Sequence, residues 1–281
     1  GPMIQMDETP VQVLGELGRE NTTKSFMWVM RGGDPEAPVL LYQYHRNRSK
    51  EVPQLYLTGY EGHLQTDGFR AYEEIGRSLD IIHVGCWAHA RRGFDEARAA
   101  TKKTGATEQA LSYIGKLYLI ERRLRDQLEE LKITEEKFVT ARKEQVQPIF
   151  ATFRSWLESK SETVLPSSLL GKAVAYTLGQ WSKLIRYLDA VYLTPDTNAV
   201  ENAIRPFVVG RKNWLFNGSP AGAHAGAALF SLIETAKANG IEPYAYLRHV
   251  FDRIPYAKTD EDFENLLPYK LDVSSLNTTN P

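Results

Sequence analysis

Polar and apolar positions alternate from the first residues of the chain. Over residues 3–14, MIQMDETPVQVL, period-two alternation puts Asp7, Thr9, Val11 and Val13 on one face of a strand. Asp7 is unusual there, because strands disfavour aspartate and a buried carboxylate needs a partner or a metal. Pro10 lacks a ladder donor, which predicts a bulge or a strand end. Glu8 points to the opposite face and is expected to be solvated. Residues 25–31 and 39–45 read as two more strands of an antiparallel meander, with Gly32, Gly33, Asp34 and Pro35 as the turn between them. A short amphipathic helix follows at Glu51–Tyr56. Residues 62–66 form a brief strand, Asp67-Gly68 a sharp turn, 69–75 a helix and 80–84 a fifth strand. Cys86, Trp87, Ala88, His89, Ala90, Arg91 and Arg92 then lead into a helix that ends near Ala100.

The period changes after residue 106. Residues 107–131, 134–158 and 167–192 carry helical periodicity with few strand signals. In the first of these, Ile114, Leu117, Tyr118, Leu124, Leu128 and Leu131 approximate an inward stripe, with Glu121, Arg122, Arg125 and Glu129 on the outer face. Thr194, Pro195, Asp196, Thr197 and Asn198 are turn and N-cap residues before another apolar-periodic run. In that run Val200, Ile204 and Phe207 or Val208 face a core. Glu201 stands in or near the first turn, with Arg205 four residues on. Pro206 predicts a kink or a stop near Arg205. Residues 221–238 form a small-residue-rich helix stopped by Gly240, and 242–254 another; the tail from Lys258 is acidic, then polar, and 273–281 is expected to be loose.

Composition adds limits. The chain has 281 residues, a formal net charge of -1, 42% hydrophobic and 25% charged residues, so a large core can form and any basic surface must be local. Its one cysteine, Cys86, excludes an intrachain disulfide and makes a reducing, cytoplasmic compartment the default. No apolar run reaches the roughly 18 residues of a membrane span, and no signal-peptide pattern opens the chain. Gly1-Pro2 reads as the scar of a cleaved tag, with the natural chain expected to extend upstream.

Three carboxylates come from three elements: Asp7 on the first strand, Asp67 after the fourth and Glu201 on a late helix. The order of strands and helices matches an α/β, ribonuclease-H-like arrangement: a mixed five-stranded sheet flanked by helices, with an all-helical insertion before the last catalytic helix. In that arrangement the first and fourth strands are neighbours, so Asp7 and Asp67 are expected side by side with Glu201 brought to them. Clustered carboxylates repel unless cations neutralise them. Hard oxygen donors favour two Mg²⁺, or Mn²⁺, about 3.5–4 Å apart. The alternatives are ordinary: Asp67 as a turn residue, Glu201 and Arg205 as a surface pair. His83, Cys86 and His89 are spaced three apart, which invites zinc, though a strand-to-helix junction splays them and no fourth ligand is evident; a buried, structural Cys86 and His89 is the plain alternative. Gly210, Arg211, Lys212, Asn213 and Trp214 form a basic and aromatic cluster; Trp214 either stacks on a base or packs in the core.

The segments MDETPVQVL, LQTDGFRAYEEI, HVGCWAHARRGFDEA, NAVENAIRPFVVGRKNWLFNGS and SLIETAKANGIEPYAYLRHVF resemble the transposases of the insertion-sequence-66 family, in the acid-triad superfamily. The resemblance implies a ribonuclease-H-like catalytic core in two parts, 3–100 and 193–240, with a helical insertion domain at 101–192 and a small C-terminal segment at 241–281. It implies that Asp7, Asp67 and Glu201 bind the metals, that His89 lies near the scissile phosphate, and that Arg91, Arg92, Arg205, Arg211, Lys212 and Trp214 contact DNA. The implied reaction is hydrolytic nicking at transposon ends, then attack of the freed 3′-OH on target DNA. A nuclease without strand transfer and a non-catalytic DNA-binding descendant are the competing readings. A homodimer or larger assembly on DNA, accessory transposition proteins and a nucleoid-associated location are expected, with no membrane partner. Family members carry an upstream zinc-binding and coiled-coil region, so the sequence reads as a catalytic-core portion.

Overall fold

The computed structural model describes residues 1–75, 80–100 and 105–271; the polar tail expected to be loose lies outside them. The fold is α/β, and the chain forms two compact units, Gly1–Gly62 with Ala199–Pro281, and His63–Asn198. No described helix is long and apolar enough to cross a membrane.

In the first unit, β1 (Met3–Val13), β2 (Lys24–Asp34) and β3 (Ala37–His45) form the expected antiparallel meander, in the order β3-β2-β1. The β1–β2 register runs unbroken from Gln5 opposite Arg31 to Gln12 opposite Lys24. Pro10 stands opposite Phe26 and neither bulges nor ends the strand. A proline is tolerated in an antiparallel ladder where its nitrogen faces away from the partner strand. Gly32 and Gly33 belong to β2 rather than to the turn, which falls at Pro35 and Glu36. Gly33 has φ +92°, and a Cβ there would stand 2.8 Å from the Ala37 carbonyl oxygen, so the strand end needs glycine. Glu8 is not solvated: its side chain is 1% exposed and pairs with Arg48.

Helix α1 (Glu51–Tyr56) follows β3. Late in the chain come α7 (Asn198–Trp214), β6 (Phe216–Asn217), α8 (Pro220–Ala238), α9 (Pro243–Arg253) and α10 (Asp260–Glu264); the labels α2 to α6 belong to the second unit. The two-residue β6 pairs in parallel with Gln12 and Val13 of β1 and makes the sheet mixed. Helix α7 does not stop at Pro206. Its Val200, Ala203, Ile204 and Phe207 are buried against Val11, Val29, Tyr42 and Tyr44 of the sheet. Burying such side chains yields about 1.5–3 kcal/mol each, comparable with or above the roughly 3 kcal/mol that an interior proline costs.

In the second unit, β4 (Gly62–Gln65) neighbours β5 (Ile81–Val84), with α2 (Arg70–Glu73) in between in sequence. Helix α3 (Trp87–Ala99) then leads to α4 (Gly105–Glu129), α5 (Glu135–Thr163) and α6 (Leu169–Leu184). Their core is aromatic: Trp87 stacks on Phe150 at 5.6 Å and meets Trp181 edge-on at 5.9 Å. On α4, Glu121 is 7% exposed and Leu131, just beyond the helix, is 90% exposed, the reverse of the expected facing. Glu121 continues the buried series Ile114, Leu117, Leu124, and its charge meets Arg142, whose side chain has no exposure at all. Leu131 has φ 56°, so the helical period has ended before it.

Candidate active site

In the first unit the register decides where Asp7 points. Asp7 stands opposite Val29, and Val29 opposite Tyr42. Directly paired residues of a sheet project to the same face. Val29 and Tyr42 pack beneath α7, so Asp7 lies on the face that α7 covers. The Tyr42 hydroxyl donates to the Ala203 carbonyl and fastens the start of α7 to that column. Glu201 occupies the first turn of α7, two residues before this fastening. Asp7 is half-buried, and its Oδ1 accepts the Glu8 N–H at 2.8 Å.

The cations of α7 separate by facing. Arg205 and Lys212 are exposed. Arg211 turns to the sheet and donates to Thr9 Oγ1 at 3.0 Å, on the Asp7 face of β1. Burial pushes its guanidinium below the usual arginine range. Trp214 takes the core-packing alternative: its ring meets Phe207 edge-on at 5.4 Å and leans over Gly210.

In the second unit Asp67 follows β4, and its Oδ1 accepts the Phe69 N–H at 2.9 Å, an Asx turn that leaves the carboxylate half-buried. Tyr176 of α6 lies over this turn. A Cβ on Gly68 would fall 2.6 Å from the Tyr176 ring, so Gly68 is required by close approach rather than by its backbone angle. Burial, with the Asp67 charge beside it, raises the Tyr176 hydroxyl well above the ordinary tyrosine range and keeps it protonated.

Cys86 and His89 occupy the start of α3, with Arg91 and Arg92 exposed on its next turn. The Thr197 N–H and hydroxyl donate to Cys86 Sγ at 3.4 and 3.2 Å. Burial pushes the thiol up to about 11 despite these bonds, so it is neutral at physiological pH. Among the described residues, His83 does not join Cys86 and His89 at one ligand point. His83 belongs to another contact, 2.8 Å from Thr66 Oγ1, which donates onward to the Asp67 carbonyl.

Asp196, read from sequence as turn chemistry, does cap: it accepts the Asn198 N–H at 3.0 Å and the Asn198 side-chain N–H at 2.9 Å. It is also 9% exposed and hydrogen-bonds Tyr118 of α4. Tyr118, Tyr176 and Asp196 were invisible as site neighbours in the sequence. Tyr118 lies 78 residues from Asp196, and the helical stripe that includes it says nothing of that partner. Arg125 and Arg142 hold the approach to Asp196 by donating to main-chain carbonyls: Arg125 to Val191 and Leu193 at 2.6 and 2.9 Å, Arg142 to Ala190 and Leu193 at 2.6 and 3.1 Å.

The chain matches the family described as "Transposase IS66 family" over residues 1–225 and the "IS66 C-terminal element" over residues 231–269. It belongs to that transposase family. Two relatives come from Sinorhizobium fredii: "Uncharacterized protein y4jD", 32% identical over 95% of this chain and 53% of its own length, and "Uncharacterized protein y4qI", 29% identical over 96% of this chain and 51% of its own. The chain thus spans about half the length of these relatives. No solved structure matches it.

Proposed function

We propose that this chain is the catalytic part of a DNA transposase on a ribonuclease-H-like scaffold, with Asp7, Asp67 and Glu201 holding two Mg²⁺ or Mn²⁺ ions. The observation that carries the reading is the placement of Asp7 on the sheet face covered by α7, whose first turn bears Glu201. Family membership supports DNA as the substrate. The donors fit the metals: carboxylates are hard oxygen ligands, and Asp7, Asp67 and Glu201 are each half-buried rather than sealed. The ions supply a Lewis acid for the attacking and leaving oxygens of an in-line displacement at phosphorus.

The protein residues divide the remaining work. The Asx turn at Asp67 and the Tyr176 ring fix one carboxylate; the Tyr42 bond to Ala203 fixes the turn that carries another. Arg211, anchored on Thr9, and the exposed Arg205 and Lys212 hold phosphates of the cleaved strand. Arg91 and Arg92 hold those nearer His89, which lies by the scissile phosphate. The chain works as a homodimer or larger assembly on paired ends, with accessory proteins where the element supplies them.

The test is nicking of a plasmid carrying the element's own termini, and joining of pre-cleaved 3′-OH ends, with Mg²⁺, Mn²⁺ or Ca²⁺. Both reactions are expected with Mg²⁺ or Mn²⁺ and lost in Asp67→Asn. Nicking without joining establishes the nuclease reading. Activity undiminished in Asp67→Asn overturns the metal triad.

A further inference from the structure

We infer that the groove between α3 and α4 binds an unpaired DNA strand; the inference rests on the proposed function and adds to it a strand path between α3 and the first helix of the insertion. The groove encloses about 840 Å³. Its rim carries Arg91 and Arg92 from α3 and Arg122 from α4, all exposed. Asp95 and Glu96 also line it, but Asp95 is bound to Arg98 at 2.8 Å as well as to Arg91 at 3.6 Å, so the rim retains a positive excess. The far wall is apolar, with Leu119 65% exposed beside Gly115.

Rim arginines over an apolar wall fit a single strand better than a duplex. A duplex presents phosphates outward and keeps its bases stacked inside, so it can use the rim and not the wall. An unpaired strand offers phosphates to the guanidiniums and base faces to the wall together. Tyr118 lies in the same groove, and Asp196 bonds it to the segment that opens α7. Asn198, the last residue of the second unit, lines the groove as well.

Gly115 gives a clean test, because a Cβ there meets nothing within 4 Å. Gly115→Leu fills the groove while improving helix propensity, so folding is kept. Binding is measured by fluorescence anisotropy with a short labelled oligothymidylate and with a duplex of equal length, in EDTA so that no chemistry intervenes. The wild type is expected to prefer the unpaired strand. Gly115→Leu should weaken that binding by roughly tenfold or more and leave the melting temperature unchanged or raised. Arg122→Ala should weaken it by about tenfold and lower the salt slope by about 0.7. Wild-type affinity in both variants, or equal affinity of the wild type for duplex and single strand, overturns the groove assignment. If plasmid nicking and joining persist alongside that result, the transposase reading stands and only the groove falls. If Asp67→Asn keeps full activity while the groove variants lose binding, the catalytic reading falls and the strand site stands.

Discussion

Thr235 on α8 satisfies both main-chain groups of Leu40 on β3: its Oγ1 accepts the Leu40 N–H at 2.9 Å and donates to the Leu40 carbonyl at 3.0 Å. One turn earlier, Ser231 Oγ accepts the Tyr42 N–H at 2.8 Å. β3 ends the strand order on its side, and such an edge presents unpaired groups that invite further strands. Two hydroxyls at i and i+4 on a helix replace the missing neighbour strand. Thr235→Val keeps the shape and strands both Leu40 groups in a buried place. It should lower stability by about 1–3 kcal/mol, read from urea unfolding, while Thr235→Ser stays near wild type.

Removing one member of the Glu121–Arg142 pair should cost more. The pair lies 3.4 Å apart, with Arg142 packed over Phe138 at 4.8 Å and Tyr187 at 5.4 Å. Glu121→Leu leaves a buried guanidinium without its counter-charge and should destabilise by about 3–5 kcal/mol. The double change Glu121→Leu with Arg142→Met should recover most of that in thermal unfolding. It should still lower nicking, because the Ala190 carbonyl loses its Arg142 donor and the Leu193 carbonyl keeps only Arg125.

Acid should weaken the second unit through His83. Burial, reinforced by Lys183 and Arg186 and opposed by Glu73, pushes its pKa down to about 3 from 6.5. The unfolded chain therefore takes up this proton first. The stabilisation is complete above about pH 6.5 and is lost as pH falls from there toward 3, by up to about 1.4 kcal/mol per pH unit. His83→Gln should flatten that part of the stability–pH curve; an unchanged slope between pH 6 and 4 would sink the assignment.

Gly68→Ala should damage catalysis more than folding. The new methyl would have to displace the Tyr176 ring, 2.6 Å away, and with it the turn that aims Asp67. Nicking is expected to fall by roughly 10²-fold with a melting temperature within a few degrees of wild type. Tyr176→Phe, which keeps the ring, should be milder.

Local rules carried far into this chain. Period-two alternation placed Asp7, Thr9, Val11 and Val13 on one face, and register confirms it. Turn chemistry located Asp67 and Asp196, because an Asx turn needs only the residue and the two that follow. Helical period found Val200, Ile204 and Phe207 as the buried side of α7. The same local rules failed where a distant partner outweighed them. Glu8 and Glu121 looked solvated because charge usually is, and each is buried by an arginine far along the chain, Arg48 and Arg142.

The sequence by itself determined the alternation of strands and helices, the carboxylates and cations available for chemistry, and the family. Tertiary structure alone decided which charges are buried, that α7 runs on through Pro206, that hydroxyls of α8 close the sheet edge, and that Tyr118 and Tyr176 stand beside Asp196 and Asp67. Periodicity is a property of neighbours along the chain, whereas desolvation and pairing depend on groups that only folding brings within a few ångströms.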